Sequence, residues 1–371
     1  MKYFLIAGEA SGDLHGSNLI RAIRQCDDAS FFIGMGGDMM REAGCQLVQD
    51  YRNMAYMGFV AVAMNWRKIR HNINLAKQSI RDFQPDNLIL IDYPSFNLQI
   101  AKYVKRHFPN IKITYYIPPK VWAWKKWRIH RIADCSDNIL GIFPFEPNFY
   151  SAYGYSAIYV GNPTMESVKT FLAQYPNIHR KKQIVLIPGS RKYEVEKCLP
   201  IMLRAVKQWL GEYQIVVTKA PTLENDFYVR LLSATLGEVC NKITLSGSTY
   251  EAMASSAIAI VNSGTATLET ALLGTPQVAV YHVEFPHLMG ALRNLLFSIP
   301  YFTLVNIIVG KQVIKELLAY EFTVENVNRE VNRLLSDDSY RLSMLEGYEE
   351  IKTILGQRNA ALDAAQIITK A

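Results

Sequence analysis

Along the first half of the chain, short uninterrupted apolar runs alternate with stretches whose apolar positions recur every three or four residues. The runs fall at residues 2–7 (KYFLIA), 30–37 (SFFIGMGG), 87–92 (NLILID), 111–117 (IKITYYI), 138–143 (NILGIF) and 157–161 (AIYVG). Runs of this length, rich in β-branched and aromatic residues, predict strands buried on both faces, and the helical spacing between them predicts βα units around a mostly parallel sheet. The second half begins the pattern again at 183–190 (QIVLIPGS), 213–220 (YQIVVTKA), 242–247 (KITLSG), 257–264 (AIAIVNSG) and 276–283 (PQVAVYHV). The repeat is one of architecture, not of sequence. Between the halves, residues 161–182 are polar and marked by proline, which predicts the junction there. Past Thr323 the apolar spacing turns helical to the end. The prediction is an α/β chain of two parallel-sheet domains, 1–165 and 166–340, with a cleft between them. A helical tail, 341–371, follows them. Ligands of such sheets sit beyond the carboxyl ends of the strands.

A chain of 371 residues, 50% hydrophobic and 20% charged, has the composition of a globular protein and is long for a single core. Its five cysteines are odd in number and show no C-x-x-C spacing. That argues against a disulfide framework or a zinc site and for reduced thiols in a cytoplasmic protein. The first apolar run stops at Glu9, too early for a signal peptide. Residues 288–310 are apolar enough to suggest a membrane span, but Arg293, Asn294, Pro300 and Asn306 interrupt them, so a span is not expected. A net charge of +7 favours anionic partners. No nucleic-acid-binding signature accompanies that charge, and nucleic acid is set aside.

Four loops carry candidate chemistry. In AGEASGD, residues 7–13, a glycine-punctuated turn follows the first strand but does not match G-x-G-x-x-G, and Glu9 and Asp13 would repel a phosphate held close to it. Carboxylates suit sugar hydroxyls better. In LIPGSRKYEVE, Gly189 permits close backbone approach, Ser190 can cap a helix and Arg191 offers a fork to phosphate oxygens. This is either a diphosphate cradle or simply a capped helix start. In NSGTATLE, Gly264 and Thr265 open a helix whose N-terminus suits an anion, and Glu269, a turn inside, is either a ribose ligand or a surface acid. In LILIDYPSFN, Asp92 emerges from a buried strand as either a helix N-cap or a base facing the ligand. Together the second and third loops favour a nucleoside diphosphate. With no D-x-D and no H-E-x-x-H in the chain, neither metal nor cofactor is expected, and Arg191 with the helix dipoles would carry the phosphate charge. Of the scattered histidines only His15 lies beside a candidate loop.

Two stretches combine aromatic or apolar residues with cations. Residues 118–131 (PPKVWAWKKWRIHR) place three tryptophans among five cationic side chains, a combination suited to sugar faces, phosphates or a membrane interface. Residues 54–72 set Met57, Phe59, Val60 and Val62 directly before Trp66, Arg67, Lys68 and Arg70. A core helix accounts for the apolar stripe. A docking patch for an anionic bilayer accounts for the basic run as well.

Taken together, AGEASGDLHG, MGFVAV, IDYPSFN, VWAW, FPFE, PGSRKYEV, SGTATLE and LVN closely resemble lipid-A-disaccharide synthase, a bacterial glycosyltransferase family of the two-domain, Rossmann-like GT-B type. The resemblance runs along nearly the whole chain, and VWAW with G-E-x-S-G-D is its most specific part. It implies transfer of 2,3-diacylglucosamine from UDP-2,3-diacylglucosamine to 2,3-diacylglucosamine-1-phosphate (lipid X), giving a β-1,6 linkage and UDP, at the cytoplasmic face of the inner membrane. Asp92 matches the family's essential acid, Arg191 its essential arginine, and Asn306 a polar position near the donor. The implied donor site is Gly189, Ser190, Arg191, Glu194, Gly264, Thr265, Glu269 and Asn306. Glu9, Ser11, Gly12 and Asp13 would hold the acceptor, and the tail 341–371 would cross back onto the first domain, as in the GT-B type generally, or be exchanged between chains in a homodimer. The chain departs from the common pattern at Ser95, where a second acid is frequent, at Pro119, Lys120 and Lys125 around VWAW, and at Asn162 in place of histidine. The rival readings are another UDP-sugar enzyme, such as a MurG-like transferase or a UDP-N-acetylglucosamine epimerase, and a non-catalytic lipid- or nucleotide-binding protein. A dehydrogenase is disfavoured, since neither half supplies G-x-G-x-x-G.

Overall fold

A computed structural model describes residues 1–54, 65–123, 126–282 and 300–370. The chain divides into two compact units, Met1–Pro163 with Gln357–Ala371, and Thr164–Gly356.

In the first unit, β1 (Lys2–Ala7), β2 (Phe31–Gly36), β3 (Cys45–Asp50), β4 (Asn87–Ile91), β5 (Lys112–Tyr116), β6 (Asn138–Gly141) and β7 (Ile158–Tyr159) form one sheet. Its order is 3-2-1-4-5-6-7, and every pairing is parallel. Helices α1 (Ala10–Cys26), α2 (Asp38–Glu42), α3 (Trp66–Phe83), α4 (Pro94–His107), α5 (Arg128–Cys135) and α6 (Glu146–Ser151) connect the strands. Alternation along β1 divides the core in two. Tyr3, Leu5 and Ala7 join a cluster with Leu19, Ile20 and Ile23 of α1. Phe4 and Ile6 join another with Ile73 and Ile80 of α3 and Ile100 and Val104 of α4. Burial on both faces is why β1 and β4 read as continuous apolar runs.

In the second unit, α7 (Pro163–Gln174) leads to β8 (Lys181–Ile187), β9 (Gln214–Thr218), β10 (Ile243–Ser246), β11 (Ser256–Asn262), β12 (Gln277–Tyr281) and β13 (Lys315–Leu318). Their order is 10-9-8-11-12-13, again all parallel. Helices α8 (Lys192–Val206), α9 (Asn225–Leu236), α10 (Thr249–Ser255), α11 (Thr265–Leu272), α12 (Leu304–Val309), α13 (Val324–Ser336) and α14 (Asp338–Leu355) complete it. The two parallel sheets predicted from the apolar pattern are both present.

The last helices separate. Helix α14 belongs to the second unit, Gly356 ends it at φ +67°, and α15 (Ala360–Lys370) packs on α1 of the first unit. Among the described residues no helix is long and apolar enough to cross a membrane. Of the apolar stretch 288–310, residues 288–299 lie outside the described residues, and Leu304–Val309 is the short helix α12.

Candidate functional site

In the first sheet, β1 leads to β2 on one side and β4 leads to β5 on the other, so the strand order reverses between β1 and β4. A crevice opens beyond the carboxyl ends of strands at such a reversal. Those ends are Ala7 and Ile91, paired in register. Beyond them Gly8 lies against Tyr93, while Glu9 and Asp92 follow the two neighbouring strands. Gly8 permits the approach, because a Cβ there would lie 2.3 Å from the Tyr93 ring.

Asp92 and Tyr93 both take left-handed backbone, φ 43° and 47°, before Pro94 opens α4, and Ile117 at the end of β5 is a third such residue at φ 59°. Non-glycine residues pay roughly 1–3 kcal/mol each for this region and keep it where their surroundings over-determine it. Asp92 keeps an exposed surface. Even so, the protein packed around its carboxyl raises the pKa, against the opposing pull of Lys120 and the Tyr93 amide. A carboxylate of raised pKa at a strand end has the properties of a general base.

Lys120, in the loop after β5, is also exposed at its surface and crowded at its ammonium. Crowding lowers its pKa, while Asp92 and Glu146 oppose the fall. Glu146, only 1% exposed, opens α6. Its Oε2 accepts the Ile142 and Phe143 amides at 2.8 and 2.9 Å, and its Oε1 accepts Trp122 Nε1 at 3.1 Å. Burial pushes its pKa up to about 7, with those hydrogen bonds and Lys120 opposing. Trp122 meets Phe143 and Phe145 edge-on at 5.8 and 5.0 Å. Trp122 of VWAW and Glu146 of FPFE are thus tied together next to the loop that carries Lys120. No role was expected of Glu146; the signal was an acid set among aromatic residues directly after a strand.

The AGEASGD stretch folds differently from the turn expected of it. Glu9 is the N-cap of α1, and Ser11, Gly12 and Asp13 lie in the helix's first turn. Asp13, 4% exposed, accepts the amides of Gly37, Met39 and Met40 at 2.7, 3.1 and 3.0 Å. Its carboxylate is the cap of α2, which corrects the expectation that it holds sugar hydroxyls. Buried Gly12 packs α1 on β1, since a Cβ there would sit 3.1 Å from Ala7 Cβ. Half-buried Glu9 and exposed Ser11 remain beyond the carboxyl end of β1. Burial lowers the His15 pKa to about 4, so that ring is neutral at ordinary pH.

The second sheet reverses between β8 and β11, where Ile187 at the end of β8 pairs with Val261, one residue before the end of β11. Gly189 lies at φ +129°, and a Cβ there would come within 2.6 Å of Glu194 Oε2. That oxygen accepts the Ser190 and Arg191 amides at 3.0 and 3.3 Å, while Oε1 accepts Arg191 Nη1 at 2.8 Å. Glu194 is therefore the internal cap of α8 and the ion-pair partner of Arg191, whose side chain stays 57% exposed. Helix α11 contrasts with this: Gly264 precedes it in extended conformation, no side chain caps it, and Gly264 and Thr265 are exposed. One turn in, Glu269 Oε1 accepts the Tyr250 hydroxyl at 3.0 Å, and burial raises the carboxyl pKa.

Asn306 is fully buried. Its Nδ2 donates to the Ile314 carbonyl and Glu316 Oε1 at 3.0 and 2.9 Å, and its Oδ1 accepts the Val313 and Ile314 amides at 2.8 and 3.0 Å. With both donors and both lone pairs used within the chain, it fastens α12 to β13 and has no position left for a ligand. Of the basic and apolar patch, Met57, Phe59, Val60 and Val62 lie outside the described residues, as do Trp124 and Lys125 of the tryptophan segment. Trp66, Arg67, Lys68 and Arg70 are exposed on the first turns of α3, with the Arg67 guanidinium 5.6 Å from the Trp66 ring centre.

Residues 3–369 match the protein family described as lipid-A-disaccharide synthetase. The lipid-A-disaccharide synthase of Trichlorobacter lovleyi is 36% identical over 96% of this chain and 93% of its own length. Its namesake from Myxococcus xanthus is 34% identical over 99% and 96%. Among solved structures, the UDP-GlcNAc 2-epimerase of Neisseria meningitidis bound to UDP-GlcNAc superposes with a TM-score of 0.66, covering 100% of this chain and 99% of that one at 14% identity. The enzyme of that name from Methanocaldococcus jannaschii gives 0.64 at 11% identity, with 100% of both chains covered. At such identities the likeness is one of fold, the GT-B arrangement of two parallel-sheet units.

Proposed function

The chain belongs to the lipid-A-disaccharide synthetase family, a family of UDP-sugar glycosyltransferases, and from that premise we propose how its own residues perform the transfer. The donor is UDP-2,3-diacylglucosamine and the acceptor is lipid X. The first unit binds the acceptor, with Glu9 and Ser11 as hydroxyl or amide partners. Asp92 removes the proton of the acceptor 6-hydroxyl. The freed oxygen attacks the anomeric carbon of the donor, the bond from that carbon to the diphosphate breaks, and the electron pair leaves with UDP. Attack from the face opposite the leaving group inverts the centre and gives the β-1,6 linkage. Arg191 and the N-terminus of α11 balance the charge that develops on UDP, and Glu269 takes the ribose hydroxyls.

The observation that carries this reading is the position of Asp92: a carboxylate of raised pKa, held in strained backbone at the strand-order reversal of the first sheet. The test is UDP release from the diacylated donor with and without lipid X. Release by the wild type should depend on acceptor and fall by at least a hundredfold in Asp92→Ala. Because the protein packed around its carboxyl raises the base's pKa, the acid limb of kcat/KM should lie above the ordinary carboxylate range. Acceptor-independent release, or full activity in the variant, would overturn the assignment.

The exposed cluster at the start of α3 supports peripheral attachment to an anionic inner-membrane surface, where both acylated substrates reside. Reversing the charges of Arg67, Lys68 and Arg70 should cut sedimentation with phosphatidylglycerol vesicles at low salt, and unchanged binding would refute the attachment.

A further inference from the structure

The strained turn at Asp92 is held by a set of side chains that the catalytic reading leaves unused. The Asp92 carbonyl accepts the Tyr115 hydroxyl at 2.7 Å and Asn97 Nδ2 at 2.8 Å. The Asp92 amide donates to the Ile117 carbonyl at 3.2 Å, and the Ile117 amide in turn donates to the Leu140 carbonyl at 3.1 Å. On the following residue, the Tyr93 hydroxyl donates to the Met54 carbonyl at 2.6 Å. Asn97 Nδ2 also reaches the Ile91 carbonyl at 3.2 Å. The orientation of that amide is thereby fixed: turned round, it would set oxygen against two carbonyl oxygens. Tyr115 and Asn97 are both fully buried, Tyr115 on β5 and Asn97 in the first turns of α4. Neither side chain is required by the sheet, whose hydrogen bonds are made by backbone. Both donate to the one carbonyl of Asp92, and Asn97 reaches the Ile91 carbonyl beside it.

We propose that Tyr115 and Asn97 are positioning residues for Asp92, two donors from separate elements that clamp its carbonyl and so hold the peptide in the left-handed turn that presents the carboxylate at the strand end. A free carbonyl there would let Asp92 and Tyr93 relax toward ordinary backbone angles and swing the carboxylate away from its working position. A misplaced base lowers turnover without weakening ground-state binding, since its proton transfer belongs to the transition state. The inference rests on the reading of Asp92 as base.

The experiment compares Tyr115→Phe, Asn97→Ala, their double variant and Asp92→Ala in the full-length protein, by kcat, by KM for both substrates and by the pH profile of kcat/KM. Tyr115→Phe removes one oxygen atom and keeps the ring, so it decides the question should Asn97→Ala fail to fold. Each single variant should lose about tenfold or more in kcat while each KM stays within about twofold. The double variant should lose less than the product of the two, because both donors serve one acceptor. Among the described residues, the groups that face Asp92 are the Lys120 ammonium, the Tyr93 amide and the Tyr115 phenol, with Glu146 acting on Lys120. Desolvation by the protein packed around the carboxyl outweighs them, so a released carboxylate is better solvated and the acid limb moves to lower pH. Variants that melt like the wild type and keep its kcat and its pH profile, while Asp92→Ala is inactive, would overturn the clamp. Activity retained by Asp92→Ala would instead overturn the assignment of the base.

Discussion

At the scale of single residues, the first unit keeps a buried acid whose proton is part of its stability. Glu146 has an ordinary value of 4.5, raised to about 7 by burial. Between those two values the folded chain holds a proton that the unfolded chain has given up, so stability falls as pH rises. The contribution is complete below 4.5 and lost through about 7, on the order of 3 kcal/mol in all. Glu146→Gln remains neutral at every pH. It can still accept the Ile142 and Phe143 amides through its oxygen, but it turns an amide toward Trp122 Nε1 and forfeits that bond. Urea unfolding at pH 5 and pH 8 should therefore show a wild type markedly weaker at pH 8 and a variant that is somewhat weaker at pH 5 and nearly level between the two. A wild type equally stable at both would mean that Glu146 is ionised throughout. The same acid, through Trp122, steadies the loop that carries Lys120, so its role is structural and it acts on the proposed base only through Lys120.

At the scale of elements, the short helix α2 depends on a cap supplied from α1. It has no side-chain cap of its own; the Asp13 carboxylate receives its first amides from across the loop. Asp13→Ala would leave three buried or half-buried donors unpaired, a loss of roughly 3 kcal/mol. Asp13→Asn should cost less, since one oxygen remains to accept. Thermal unfolding of the two variants checks the order, and equal stability would show that water replaces the cap freely. This cap also marks where the sequence was legible. Central strands such as β1, β4, β8 and β11 are buried on both faces, so their apolar runs give them away. The edge strands β3 (CQLVQD) and β13 (KELL) are only partly buried, carry polar residues on the open side and show no run to read. The loops with candidate chemistry were legible as positions beyond strand ends. What was not legible is which polar atoms the chain consumes itself. Asp13, Glu194 and Asn306 look like ligand contacts in a motif, and each is bound to backbone groups, those of Asp13 and Asn306 far enough along the chain that spacing cannot show them.

At the scale of the whole molecule, the first unit is closed by residues from the far end of the chain. Helix α15 brings Ala360, Ala361, Ala364, Ala365 and Ile368 into the cluster that contains Leu19, Ile20 and Ile23 of α1. A face of alanines lets the two helices approach closely. The segment leading to α15 is fastened as well: Arg358 pairs with Asp363 at 2.6 Å and lies against Gly161, where a Cβ would meet Arg358 Cβ at 2.9 Å. Periodicity predicts such a helix, but not which partner it takes, because an alanine face fits any apolar groove. Burying four alanine methyl groups and one isoleucine side chain contributes on the order of 5 kcal/mol, before the surface covered on α1 is counted. Ending the chain at Gly356 removes this helix from the first unit and leaves every helix and strand of the second in place. Calorimetry of the truncated chain should show the transition of the first unit displaced to much lower temperature and that of the second nearly unmoved, with turnover lost because Asp92, the proposed base, sits in the unit that is weakened. Adding α15 back as a free peptide should raise the lower transition in proportion to its concentration. If the truncated chain keeps both transitions and its activity, the helix is a passenger and the apolar face of α1 tolerates water.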